Sequence, residues 1–163
     1  MSIIETNSTD SPITLAQMQA NLRLPDGMDE DLLNRLIPAA THYCELVTNI
    51  ATRNKTVVAT YIGPNTLYDL KYKAATVTTV KINNVATTNF TNYLGGNPGY
   101  VQIDDTIEAS DIVQITYTVT GITTHEALNE CIIAYASALY NNPEGLSEMD
   151  MRRINFRLRT ISQ

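Results

Sequence analysis

Apolar residues recur at two spacings along the chain, helical toward both ends and alternating in the middle. The first residues precede either pattern. Asn7-Ser8-Thr9-Asp10-Ser11-Pro12 is polar and turn-forming, so residues 1–13 are expected to be a flexible or partner-ordered arm. Thr14, with Gln17 three positions on, has the spacing of a capping box, and Leu15, Met18 and Leu22 share one face of a short helix ended by Pro25-Asp26-Gly27. From Asp29 to about Asn49, the residues Leu32, Leu33, Leu36, Ile37, Ala40, Tyr43, Cys44 and Val47 keep the helical period. Asp29, Glu30 and Asp31 set negative charge against the positive end of that helix's dipole. Pro38 lies inside the run; lacking a backbone donor and clashing with the preceding turn, it predicts a kink or two helices.

At Lys55 the period changes. Thr56 to Ile62, Thr66 to Tyr72, Val77 to Ile82 and Ile112 to Thr120 are rich in Val, Ile, Thr and Tyr. They are separated by Gly63-Pro64-Asn65, Asn83-Asn84 and Gly95-Gly96-Asn97-Pro98-Gly99, the pattern of strands between turns. In the last run Val113, Ile115, Tyr117 and Val119 alternate with Gln114, Thr116, Thr118 and Thr120, as when one face packs and the other is wet. Tyr100 to Ile103 adds a short strand. After Gly121 the helical period returns. Thr123 with Glu126 makes a second capping box, and Leu128, Cys131, Ile132, Tyr135, Ala138 and Leu139 form a stripe that stops at Asn141-Asn142-Pro143. A last helix starts at Ser147, with Met151, Ile154, Leu158 and Ile161 on one face and Arg152, Arg153, Arg157 and Arg159 around the rest.

The class predicted is α+β. A helical core is made of residues 14–50 and 123–142, the latter a helix near 124–141. An antiparallel β-sheet or small barrel is inserted over about 55–121, and residues 147–163 form a basic C-terminal docking helix. The helices beginning at Asp29 and Thr123 must pack on each other across the insertion, because neither can bury its stripe alone.

The chain has 163 residues, 44% of them hydrophobic, enough for the core of about one domain. Charged residues are 17%, against about 25% in an average soluble domain, and Thr and Asn take up much of the difference. No apolar run approaches the roughly 20 residues needed to span a bilayer. The start, Met1-Ser2-Ile3-Ile4-Glu5, lacks the basic and apolar regions of a signal peptide, so neither a membrane nor a secretory route is expected. Cys44 and Cys131 are too few for a disulfide framework and fall in helical patterns, which reads as buried, reduced thiols in a cytosolic setting. The net charge of −6 is uneven: residues 1–50 hold seven acids against Arg23 and Arg35, whereas the last thirteen residues carry four arginines and no acid. A net acidic chain is poorly suited to wrapping nucleic acid, but its basic tail can be steered to an acidic partner.

Chemistry is sparse. Neither histidine, His42 or His125, sits with a nucleophile at a catalytic spacing, and no Ser or Cys occupies a Gly-flanked elbow, so no enzyme and no catalytic residue is expected. His42 and Cys44 point about 200° apart on a helix and cannot share a metal, and neither a metal nor a cofactor is expected. The run from Gly95 to Gly99 lacks the Lys-Ser/Thr of a phosphate loop. Asp104, Asp105, Glu108 and Asp111 fit a solvated hairpin connection better than a calcium loop. Tyr61, Tyr68, Tyr72, Tyr93, Tyr100 and Tyr117 suit core and interface packing more readily than stacking on bases or sugars. The arginine helix admits three readings: a solvated surface, a DNA-facing lining, or a docking helix whose Ile and Leu anchor in a groove while Arg pairs with carboxylates. Docking is the favoured one.

The order of segments resembles a known family. Ile13-Thr14-Leu15-Ala16-Gln17-Met18 through Asn21-Leu22-Arg23-Leu24, Asp29-Glu30-Asp31-Leu32-Leu33, Leu36-Ile37-Pro38-Ala39-Ala40 and Tyr43-Cys44-Glu45-Leu46-Val47-Thr48 follow one another as in the tailed-bacteriophage head-to-tail connector (adaptor) proteins. Ala75-Thr76-Val77-Thr78-Thr79-Val80 with Asn92-Tyr93, Val113-Gln114-Ile115-Thr116-Tyr117 before Gly121, and the helix from Ile132 to Asn141-Asn142-Pro143-Glu144 look like the members that carry a β insertion. The resemblance covers roughly residues 13–145. Pro38, and Pro143 where relatives often have Arg, depart from the pattern, and the tail beyond Ser147 lies outside it.

The resemblance implies a non-enzymatic virion protein made in the host bacterial cytoplasm. It would form a homo-oligomeric ring of about twelve copies in the neck. That ring would join the portal protein to the tail or next neck protein and extend a channel through which double-stranded DNA passes during packaging and ejection, without sequence-specific binding. On this reading Met151, Ile154, Leu158 and Ile161 line the portal-docking face, Ile154, Leu158 and Ile161 being its anchors. Arg152, Arg153, Arg157 and Arg159 pair with portal carboxylates or face DNA phosphates. The alternatives are a neck stopper or tail-completion protein, and a small β-rich module that binds glycan or host surface through Tyr93, Tyr100 and the loop around Gly95.

Overall fold

The computed structural model describes residues 1–7, 11–96, 99–122, 124–142, 144 and 146–161. The chain divides into a β unit, residues 1–9 and 53–121, and a helical unit, residues 10–52 and 122–163, so the class is mixed α+β.

Among the described residues the β unit holds eight strands: β1 (Ser2–Asn7), β2 (Lys55–Ile62), β3 (Tyr68–Asp69), β4 (Thr76–Ile82), β5 (Val85–Thr87), β6 (Phe90–Tyr93), β7 (Tyr100–Ile103) and β8 (Ile112–Val119). They form a five-stranded sheet in the order β1-β2-β8-β4-β5 and a three-stranded sheet in the order β3-β7-β6, with every pair antiparallel. The period-two pattern sets the faces. Val57, Ala59 and Tyr61 of β2 and Val113, Ile115, Tyr117 and Val119 of β8 are buried, joined in the core by Tyr68, Leu70, Tyr72, Val77, Val80 and Val101. Asn83 and Asn84 both adopt positive φ, the conformation of a two-residue hairpin turn between β4 and β5. The chain enters this unit at Arg53 and leaves at Gly121, where a Cβ would lie 2.4–2.6 Å from Arg53 backbone atoms, so only glycine fits.

Three expectations are corrected here. Ser2–Asn7, expected within a flexible or partner-ordered arm, is an edge strand paired along its whole length with β2, from Ser2 opposite Thr60 to Asn7 opposite Lys55. Ile13, placed in the same arm, is buried in the helical core. The run Thr66 to Tyr72 shortens to the two residues of β3, because side chains and loops take over the ladder: the Leu70 amide donates to the Gly99 carbonyl and the Lys71 amide to the Tyr117 hydroxyl.

The helical unit holds α1 (Leu15–Leu22), α2 (Glu30–Thr48), α3 (Glu126–Asn141) and α4 (Glu148–Ile161). Thr14 and Gln17 close the expected capping box on α1, and Arg23 ends that helix in the left-handed region. α2 runs as a single helix through Pro38, where the expectation allowed a break. Its packing supplies the reason: Leu33, Ile37, Ala40 and Cys44, on both sides of the proline, are buried in one cluster with Leu128, Cys131, Ile132 and Ala136 of α3. Tyr43 of α2 stacks on Tyr135 of α3 at 4.4 Å between centroids and donates its hydroxyl proton to Asn155 of α4. Glu45, wholly buried, accepts from both the amide and the hydroxyl of Thr52, each at 2.7 Å, and so fixes the turn that follows α2. The cap expected at Thr123 lies outside the described residues; the N-cap of α3 is His125, whose Nδ1 accepts from the Leu128 amide. Among the described residues no helix is long and apolar enough to cross a membrane.

Candidate docking surface on the last helix

Ser147 and Asp150 start α4: the Asp150 amide donates to Ser147 Oγ and the Ser147 hydroxyl returns a proton to the Asp150 carboxylate. From there the helix turns its apolar stripe inward. Ile154 and Leu158 are buried in the cluster shared with α2 and α3, Leu158 completely, while Met151 and Ile161 are half-buried. The residues offered as anchors thus fill the chain's own core, because a fourteen-residue helix holds to its unit mainly by burying such a stripe. Arg152, Arg153, Arg157 and Arg159 are exposed.

Sequence reasoning missed what stands between them. Met149 is 65% and Phe156 74% exposed, the latter as exposed as any large apolar side chain described. Seven residues apart, they lie about 20° from each other around the helix and form a second, outward apolar row. That spacing was the available signal, hidden by the stronger inward stripe. Met149, Phe156, Arg152, Arg153 and Arg157 line an open hollow of about 450 Å³. On the other flank Arg153 and Arg157 border a slot of about 190 Å³ toward α3, lined also by Cys131, Ala134, Ala138 and Asp150. Arg152 pairs with Glu148 one turn back. Both hollows are open to solvent, which suits a macromolecular surface better than an enclosed small molecule.

The remaining candidates have structural occupations. Asp105 accepts from Thr87 and Asn89, and Asp111 from the Glu108 amide and Asn83; these bonds hold both carboxyls below the usual carboxylate range. His42 is exposed and Cys44 buried, on opposite sides of α2, and among the described residues no group of three or more His, Cys, Asp or Glu is placed to hold a metal. Burial, and then the neighbouring Cys131, push the Cys44 thiol up to about 12. Tyr61, Tyr68, Tyr72 and Tyr117 are core residues, whereas Tyr93 and Tyr100 stack on each other at 4.6 Å with Tyr93 exposed. Asn97 and Pro98 of the adjoining loop lie outside the described residues.

A buried ionic cluster, unforeseen in the sequence, fastens β1. Lys55 Nζ, fully buried, donates to Glu5 at 2.9 Å, Lys71 Nζ donates to the other Glu5 oxygen at 2.7 Å, and the Tyr72 hydroxyl donates to that oxygen at 3.0 Å. Both ammonium groups also sit over the Tyr72 ring, at 4.7 and 4.9 Å from its centroid. Burial alone would raise the Glu5 carboxyl, but the hydrogen bonds from Lys71 and Lys55 outweigh it and hold it at about 2.

No family model and no curated protein matches the sequence. Solved structures do match in fold. A chain in the neck of an empty GTA particle, computed with C6 symmetry, superposes with a TM-score of 0.69 at 16% identity, covering 95% of this chain and 94% of that one. A chain in the virion of the native gene transfer agent (GTA) particle gives 0.67 at 16% identity, covering 93% of each. A chain in the neck of the native GTA particle, computed with C12 symmetry, gives 0.64 at 15%, covering 95% and 94%. At these identities the likeness is one of fold, and it extends over nearly the whole of this chain.

Proposed function

We propose that this chain is a structural, non-enzymatic subunit of the neck of a tailed-phage-like particle. About twelve copies form a ring that joins the portal to the tail or the next neck protein and continues the DNA channel. The observation that carries this reading is the likeness over 93–95% of the chain, both units included, to chains in GTA neck and virion structures. The order of motifs from Ile13 to Glu144, which resembles the head-to-tail connectors, supports it independently. The subunit works in the virion, and α4 with its four arginines is its docking element toward the portal. A weakly charged, Thr-rich sheet suits side-to-side packing in such a ring, where a highly charged surface would resist it.

The test mixes the purified chain with the portal ring of the same particle and determines mass and symmetry by native mass spectrometry and negative-stain microscopy. A closed ring stacked on the portal is the expected product. A chain that stays monomeric and leaves the portal bare overturns the reading.

A further inference from the structure

We propose that β1 is an exchangeable strand: in the assembled ring, Ser2–Asn7 of one copy lies along β2 of the next, and its Glu5 completes that copy's site at Lys55, Lys71 and Tyr72. The inference rests on the neck reading above and names the contact that joins one copy to its neighbour.

β2, β4 and β8 each place apolar side chains in the buried core, and β1 places none. Ile3 is half-buried, and Ser2, Ile4 and Thr6 are exposed, Ile4 at 66%. What holds β1 is polar: its backbone register with β2, the ion pairs from Glu5 to Lys55 and Lys71, and the Tyr72 hydroxyl. Strands fastened by hydrogen bonds with little apolar burial belong to the parts of a fold that open first. The covalent path is permissive as well. The chain leaves the β unit after Thr9 and re-enters it at Arg53, so β1 is tied to its sheet covalently only through the helical unit. The same register and the same ion pairs form whether Ser2–Asn7 comes from its own chain or from another. Exchange therefore makes an interface out of contacts already present in one chain, and the balance is set by effective concentration.

The groove along β2 selects its occupant. Withdrawing β1 takes the Glu5 carboxylate away from the Lys55 ammonium, which is fully buried, and that is costly. A displaced β1 must therefore be replaced by an extended strand that carries a carboxylate at the same register, and a second copy supplies that strand by identity. The outer side of β1 offers no obstacle to a neighbour: the strand ends the five-stranded sheet and has none of the Pro, Lys or bulge that commonly guard such edges. Passing the strand from each copy to the next is a heterologous contact, which closes a ring, whereas mutual exchange between two copies stops at a dimer.

Thr6 and Thr56 are opposite each other in the β1–β2 ladder and both exposed, so cysteines there report which strand lies on which without disturbing the core. The experiment uses full chains: the double variant Thr6→Cys with Thr56→Cys, and the two single variants mixed, one of them isotope-labelled. Each is oxidised mildly, as a dilute free chain and after assembly on the portal ring, and analysed on non-reducing denaturing gels and by mass spectrometry. The parent, whose Cys44 and Cys131 are buried, is the control. The dilute double variant should give the intrachain link and run as a monomer, which proves that the pair can be oxidised. In the ring it should shift to a ladder of covalent multimers, and the mixed single variants should give a covalent pair with one chain of each kind. A ring in which the double variant keeps its intrachain link overturns the inference and leaves the neck reading standing. A ring with neither link overturns it in favour of a foreign strand on β2. A parent that forms no ring on the portal overturns the neck reading and the exchange together. If only the double variant fails to assemble, Ser2→Cys with Thr60→Cys, at the other end of the same ladder, takes its place and is read in the same way.

Discussion

Replacing Glu5 by Gln removes one charge from a site where two lysines converge, and the geometry sets the size of the loss. The Glu5 carboxyl falls from an ordinary value of 4.5 to about 2, which at 1.36 kcal/mol per pH unit corresponds to about 3 kcal/mol. The Glu5 side chain is 10% exposed, so solvent screening trims this to about 2–3 kcal/mol. Lys55, with a side chain that is 0% exposed, then meets a neutral amide where the Glu5 carboxylate stood, and removing one member of a buried pair costs up to about 3–5 kcal/mol. Together these bound the expected loss at about 2–5 kcal/mol, since the two descriptions count the same interaction. The sign follows from the depressed value: the contribution is present at neutral pH, begins to fade below about 4.5 and is lost as pH falls through about 2. Urea unfolding at pH 7 and at pH 3, combined with hydrogen exchange of the β1 and β2 amides, checks the direction and the location. The variant should unfold earlier at pH 7, the gap should narrow at pH 3, and β1 should lose protection first. Adding Lys55→Met to Glu5→Gln should recover part of the loss. A single variant within 0.5 kcal/mol of the parent at pH 7, or a gap that widens on acidification, would refute the reasoning.

Two other outcomes follow from packing. Gly121→Ala forces a Cβ to within 2.4–2.6 Å of the Arg53 backbone and is expected to cost about 2–3 kcal/mol, whereas Gly95→Ala, with nothing within 4 Å, should be neutral; thermal melts of the pair decide it. At pH 8 the Cys44 thiol should react with a disulfide reagent about a thousandfold more slowly in the folded protein than in denaturant, because burial holds it at about 12 instead of 9. Comparable folded and unfolded rates would place Cys44 outside the core.

Local pattern made much of the fold legible. The capping box of α1, the single strong stripe of α2, the alternation of β8 and the stop after Asn141 are all written within a few consecutive residues. What stayed hidden depends on distant partners. Ser2–Asn7 has no apolar period and becomes a strand because β2, about fifty residues later, supplies its hydrogen bonds and Lys55 and Lys71 supply its counter-charges. Thr66 to Tyr72 read as a strand because Thr and Tyr favour one, yet its Leu70 and Lys71 amides are satisfied by a loop carbonyl and a side-chain hydroxyl. At the docking surface the arginines were plain in the sequence. The inward fate of Ile154 and Leu158 depends on α2 and α3, and their stripe masked the outward spacing of Met149 and Phe156.

The way the two units share the chain has a consequence for synthesis. The β unit needs β1, β2 and β8, and the helical unit needs α2, α3 and α4, so each is assembled from stretches made before and after the other's. A growing polypeptide leaving the ribosome cannot finish the first unit until about residue 119 has emerged, nor the second until Leu158 has. Neither half of the sequence is a self-sufficient folding module. A chain cut before Leu158 would therefore lack part of the helical core as well as much of its arginine-bearing helix.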